Sequence, residues 1–481
     1  MRSNSVKILL CVLVALAGGL TGAPPALASH GEIDFFEAPQ QLIDGNASAA
    51  ITQLQSLGVH AVRIQVVWYD VAPARKSKHV PAVNLASPSS YDWGQYAPAV
   101  AELRRLGWTV LLTVTGYAPC WASHCAKSKD DNHELVTYPS PKYYGEFMEA
   151  VAKEFGPDGV QYYSVWNEPN QTQYLLPQYA NGRPSSRLVS AAIYRKLYLA
   201  AYAGLKASGY GGSAKVLIGE TSPVGVSSVD ISAPLAFLRG VLCLNGQYVR
   251  SRGCAMLHTA GWAQHPYDNA EGPFWRASSG DVTMGSLRRL HLALERAGAA
   301  GAIPRGTPIY ITEFGVQSYP NKLLGVSPAQ QAEYDAIAER TAWNAPYVAS
   351  FDQYLLTDDP DPGEGSFQTG LEYVNGRQKP IYDGYRLPLS VYVEGGSHVS
   401  FWGVVRPASA ATTVTVQYSQ NNGASWQQLA SYNTNAQGYW TAGSRLVAKR
   451  VWRVQWTAPD GTVYYGATTR AYAPGNPRPQ T

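Results

Sequence analysis

Between Ile33 and Leu387, short apolar runs alternate with amphipathic stretches eight times. That alternation restricts the fold sharply, because parallel strands need a crossover between them and the crossover is usually a helix. The strand candidates are Ile33–Phe36, Val59–Trp68, Thr109–Thr115, Val160–Trp166, Lys215–Gly219, Gly261–Gln264, Pro308–Thr312 and Val348–Leu355. Helical spacing falls between them at Ala47–Leu57 (stopped by Gly58), Pro98–Leu106, Tyr143–Phe155, Leu188–Ala207, Pro234–Leu244, Met284–Ala297 and Pro328–Trp343. Eight such units predict an α/β fold, a closed (β/α)8 TIM barrel with long loops. The open doubly wound alternative usually has fewer strands and a Gly-rich phosphate turn after the first, and no such turn occurs here.

After Leu387 the helical period stops. Short alternating runs take over at Ser390–Val393, Val399–Val405, Thr412–Ser419, Trp426–Ser431, Tyr439–Thr441, Val451–Thr457 and Thr462–Thr469, separated by turn residues such as Asn421-Asn422-Gly423 and Pro459-Asp460-Gly461. About seven short strands predict a small all-β sandwich of immunoglobulin or fibronectin-III type. The expected domains are a barrel over 29–387, the sandwich over 388–472 and a Pro-rich disordered tail over 473–481.

Residues 1–28 read as a signal peptide. Arg2 and Lys7 precede the apolar run Ile8–Leu16, and Ala26-Leu27-Ala28 resembles a cleavage site. The apolar run is short of the roughly 20 residues a spanning helix needs. Export also fits the cysteines. Cys11 would leave with the signal, and the remaining Cys120, Cys125, Cys243 and Cys254 fall as two near pairs. Local pairing is the simplest of three connectivities. A metal site is the alternative, but the spacings do not suit C-x-x-C ligands and no His sits at matching intervals. Loss of Arg2 and Lys7 takes the net charge from +4 to +2, too little to point to nucleic acid or acidic polymers. Outside the signal, no segment is long and apolar enough to span a bilayer.

Two glutamates stand where predicted strands end: Glu168 in Val165-Trp166-Asn167-Glu168-Pro169-Asn170, and Glu313 in Ile311-Thr312-Glu313-Phe314-Gly315. In a barrel, the C-terminal strand ends form one rim. Two carboxyl groups meeting there can break a glycosidic bond, one protonating the leaving oxygen and the other attacking the sugar carbon.

With one glutamate on the fourth strand and the other on the seventh, the chain resembles the retaining glycoside hydrolases of clan A. Trp166 and Asn170, flanking Asn167-Glu168-Pro169, make it most similar to family 39-like members, with family 5-like enzymes as near neighbours. The resemblance covers about Gly31 to Leu387. It implies Glu168 as general acid/base, Glu313 as nucleophile, and Asn167 as the partner of a sugar 2-hydroxyl. It also implies that Arg63 stands beside the nucleophile and that the Tyr267 hydroxyl donates to it. Independently, Arg63 alternates with Val62 and Ile64, which directs it into the barrel if they face the helices, where it needs a carboxylate partner.

His265 could bind sugar hydroxyls, and Trp68, Tyr117, Trp121, Trp262, Trp275 and Tyr354 are candidate subsite walls. Glu220, ending the fifth strand in Ile218-Gly219-Glu220-Thr221, is a third carboxylate on the same rim. The clan's usual tryptophan on the eighth strand is replaced by Phe351-Asp352-Gln353-Tyr354. In the sandwich, Trp402, Trp426, Trp440, Trp452 and Trp456 are read as filling the core and its contact with the barrel in preference to serving as sugar platforms. The expectation is a secreted glycosidase needing no metal or organic cofactor, with an oligo- or polysaccharide substrate carrying a β-linkage or its equivalent, an α-L-arabinoside. The alternatives are a non-catalytic carbohydrate-binding protein on a degenerate barrel, and a transglycosylase using the same carboxylates.

Overall fold

The computed structural model describes residues 31–125, 132–361, 363 and 365–473. The signal-peptide segment and nearly all of the expected tail lie outside them. The barrel strands are β1 (Ile33–Glu37), β2 (Ala61–Val67), β3 (Thr109–Thr115), β4 (Tyr162–Val165), β5 (Lys215–Thr221), β6 (Gly261–Gln264), β7 (Ile309–Ile311) and β8 (Val348–Tyr354). They form a closed barrel in chain order, and β1 pairs in parallel with β8. Helices occupy every expected crossover, within a few residues of the predicted ends.

The sandwich has eight strands: β9 (Leu389–Glu394), β10 (His398–Val404), β11 (Thr413–Ser419), β12 (Gln427–Asn433), β13 (Tyr439–Arg445), β14 (Val451–Thr457), β15 (Val463–Tyr465) and β16 (Ala471–Tyr472). The sheets run β13-β10-β9-β16 and β12-β11-β14-β15. The strand beyond the expected seven is β16, two residues lying parallel to β9, too short to show an alternating pattern.

The barrel interior is layered. Phe35, Ala61, Leu111, Tyr162, Leu217, Ala263 and Tyr310 make an apolar floor. Side chains two residues further along a strand face the same way. That step gives Glu37, Arg63, Thr113, Ser164, His265 and Thr312, all buried. An apolar plug therefore lies under a polar layer at the C-terminal rim.

On β5 the alternation breaks. Its register with β6 shifts between Ile218 and Thr221, Gly219 has φ +116° and Glu220 φ +49°. A Cβ on Gly219 would lie 2.7 Å from the Ala263 carbonyl and 2.7 Å from the Trp262 ring, so only glycine fits this bulge. The bulge extends β5 past Gly219, where the sequence pattern ended it, and places Glu220 in the polar layer.

Barrel and sandwich share a buried seam. Trp343, Trp402 and Val404 pack together with Tyr439 against them, and Trp440, Trp452 and Trp456 fill the sandwich core. Arg406 lies 2.5 Å from Glu339 and 3.9 Å from Asp34. Burial pushes Asp335 up to about 7 and Glu339 up to about 8, with Arg406 opposing. Such acids keep their protons in the folded chain, so their contribution is whole below the ordinary values of 3.8 and 4.5 and is lost as pH climbs through 7 and 8. The thermal midpoint is expected to fall between pH 5 and pH 9, and to fall less in Glu339→Gln. Equal slopes for both proteins in scanning calorimetry would show that this seam does not contribute.

Candidate active site

The chain leaves β4 through Trp166 and Glu168, both in the left-handed region (φ +68° and +38°), a conformation that costs energy for residues with a Cβ and so needs support. The support is visible. The Trp166 indole donates to the Tyr174 carbonyl at 2.9 Å. It packs so closely on Gly116 that a Cβ there would lie 2.6 Å from the ring. Asn170 ties this loop to the one after β5, donating to Ser222 Oγ (2.8 Å) and the Ser232 carbonyl (2.9 Å) and accepting from the Ser222 N–H (2.9 Å).

Glu168 and Glu313 meet. A carboxylate oxygen of each and a ring nitrogen of His265 lie within 4.8 Å of one another. Around them Arg63 donates through every N–H position. Nε reaches Thr113 Oγ1 (2.8 Å), Nη1 reaches Glu37 (2.6 Å) and Glu313 (2.9 Å), and Nη2 reaches Asn167 Oδ1 (2.8 Å) and Glu220 (3.1 Å). The Tyr267 hydroxyl donates to the other Glu313 oxygen at 3.0 Å. His265 stands between carboxylates, with Nδ1 3.0 Å from Glu168 and Nε2 2.5 Å from Glu220. Glu220 also accepts from Thr312 (3.0 Å) and from Ser164.

These contacts set the charges. Burial alone would lower His265, but Glu313, Glu168 and Glu220 outweigh it and hold the imidazole up to about 10, so both ring nitrogens carry protons near neutrality. Burial would raise Glu220, but Arg63, His265 and Ser164 bring it down to about 2. Glu37 goes the other way. Burial pushes it up to about 8, Arg63 opposing and Glu313 adding to the rise. Burial also raises Glu168, against the pull of His265. A buried pocket with two cations and several carboxyl groups keeps some of those groups protonated.

Glu168, His265 and Glu313 could supply ligands to a divalent cation, which would need a deprotonated imidazole nitrogen. A histidine held at about 10 by three carboxylates already has a proton in that position.

The other expected site residues sort by burial. Tyr354 packs edge-on to Tyr267 (6.4 Å between centroids) and lines a cavity beside Arg63. Trp68 was expected on a subsite wall. It instead opens the short helix Trp68–Val71 and is wholly buried, stacked on Phe147 and edge-on to Trp121. Trp121 is buried too, its indole donating to the Pro73 carbonyl, and Trp262 lies in the core. All three belong to packing, since an indole at a strand end serves a core as well as a subsite. His265 was expected to reach sugar hydroxyls, but it is fully buried with both ring nitrogens on carboxylates. The cysteines form Cys120–Cys125 and Cys243–Cys254.

Sequence reasoning missed Glu37, Asp352 and Gln171. Gln171 Nε2 donates to the second Glu168 oxygen at 2.5 Å, and Asp352 is wholly buried. For Glu37 and Asp352 the available signal was an acid inside an apolar parallel strand, where a charge needs a partner.

No family model matches the chain, and no curated protein matches it in sequence. Among solved structures it is similar to a glucosidase from Croceicoccus marinus, with 11% identity and a TM-score of 0.53 over 90% of this chain and 96% of that one. It is also similar to a family 39 glycoside hydrolase from the gut symbiont Bacteroides cellulosilyticus WH2, with 16% identity and a TM-score of 0.51 over 86% and 78%. The chain has a closed (β/α)8 barrel, the fold that these two structures share with it. Among the described residues no helix is long and apolar enough to cross a membrane.

Glu220→Gln removes the anion that faces both cations. The His265 value is expected to drop below about 10, read from the imidazole proton shifts in an NMR titration. An unmoved titration would show that Glu220 does not hold the imidazolium.

Proposed function

We propose that this protein is a retaining glycoside hydrolase exported from the cell, acting on a β-linked glycan or an α-L-arabinoside. The observation that carries the reading is that a carboxylate oxygen of Glu168 and one of Glu313 lie within 4.8 Å of each other. Retaining enzymes hold their carboxyl groups about 5–5.5 Å apart, whereas inverting enzymes leave about 6.5–9.5 Å for a water. The fold and the two disulfides agree with the reading.

In the first step a Glu313 oxygen attacks the anomeric carbon as the bond to the leaving oxygen breaks, and Glu168 passes its proton to that oxygen. In the second step water attacks the same carbon, Glu168 takes the proton from the water, and Glu313 leaves as a carboxylate. Each group is suited to its part. Burial raises the hold of Glu168 on its proton. Arg63 and Tyr267 both donate to Glu313, which fixes its angle of attack. Asn167, oriented through its oxygen by Arg63, offers its amide N–H to the sugar 2-hydroxyl. Glu220 belongs to the support, since it is fully buried.

Glu313→Ala is expected to abolish turnover of aryl glycosides. Glu168→Gln is expected to lower it by about 10²–10⁴, most for poor leaving groups. The wild-type rate should fall on the alkaline side as Glu168 loses its proton. Proton NMR should show the first-formed sugar with the anomeric configuration of the substrate. An inverted first product, or an active Glu313→Ala protein, contradicts the assignment.

A further inference from the structure

A cavity of about 270 Å³ opens between β1, β2 and the segments that follow them. Glu37, Arg63 and Tyr354 line one part of its polar surface, and Asp44, Gln65, Asp70, Gln95 and Tyr96 line the rest. It is linked to the chemistry through one lining side chain, since Arg63 Nη1 lies 2.6 Å from Glu37 and 2.9 Å from Glu313.

The lining has one cation, and that cation is fully engaged. A guanidinium has five N–H donors, and those of Arg63 go to Thr113, Glu37, Glu313, Asn167 and Glu220. None remains for a carboxylate on a substrate. Just outside, Arg75 lies 3.5 Å from Asp70 and over the Tyr69 ring. A negatively charged sugar entering here would meet Asp44 and Asp70 without a free counter-ion. Asp70 faces Arg75, and Asp44 accepts from the Gln95 amide at 2.8 Å. Hydroxyl groups, which both donate and accept, suit carboxyl oxygens, two amides and two phenols. Glu37, pushed by burial up to about 8, keeps a proton that it can donate to one of them.

Resting on the glycosidase reading, we propose that this cavity holds an uncharged, hydroxyl-bearing sugar unit next to the scissile bond and rejects uronic acids, with Gln65 and Asp70 as specificity-determining contacts. The reason is a difference in cost. A missing contact weakens binding modestly, whereas a charge buried without a partner is strongly refused.

The test uses the full chain and 4-nitrophenyl β-glycosides in pairs that differ only at C6, glucoside against glucuronide and galactoside against galacturonide. The neutral member of at least one pair is expected to exceed its uronide by about a hundredfold or more in kcat/KM. Asp70→Lys is expected to narrow that ratio about tenfold, as a free ammonium enters the lining. A uronide cleaved as well as its neutral partner, or a ratio unmoved by Asp70→Lys, overturns the proposal. If no glycoside is cleaved, the glycosidase reading fails separately and binding decides the cavity. At least one neutral β-linked disaccharide should then raise the thermal midpoint of the wild-type protein while digalacturonate does not. A rise with digalacturonate, or with no sugar at all, overturns the subsite.

Discussion

One guanidinium organises the centre of this barrel. Arg63 is fully buried and reaches Glu37, Glu220 and Glu313 together with Thr113 and Asn167. A lysine could not replace it, because a compact ammonium lacks the planar fork that serves five acceptors on five strands or their ends. Removing one partner of a buried ion pair typically costs about 3–5 kcal/mol, so the cluster holds only while the guanidinium is in place. The apolar floor beneath it, from Phe35 to Tyr310, keeps water from reaching these charges from below.

The division of protons follows. Arg63 and His265 are the cations, and Glu220 is drawn down to about 2 between them. Glu37 and Glu168 are pushed up by burial. Two glutamates of the same chain therefore differ in proton affinity because of where they sit. Glu220 touches both cations, and Glu168 touches only one.

The fold was legible because its signal is repetitive. Eight apolar runs separated by helix-spaced segments leave few topologies, and Glu168 and Glu313 stand at the ends of the fourth and seventh. The rest was hidden for physical reasons. Glu37 falls one residue past the apolar run Ile33–Phe36, and Asp352 lies inside a strand read only for its apolar content. Glu220 was placed on the rim with the other two carboxylates, but the bulge at Gly219 that turns it inward follows no periodicity. Trp68 and Trp121 were misread because the same indole suits a core or a sugar. His265 was read as a ligand group because nothing local shows that two carboxylates from other strands will face its ring.

The central claim is that Glu313, held by Arg63 and Tyr267, forms a bond to the sugar. A 2-deoxy-2-fluoro glycosyl donor with a good leaving group slows breakdown of such an intermediate and lets it accumulate, and a panel of neutral donors can be tried. Mass spectrometry of the intact protein should then show one added glycosyl unit, mapping after digestion to the peptide containing Glu313. Turnover of a parent glycoside without any adduct, or an adduct on Glu168 or Glu220, would contradict the account.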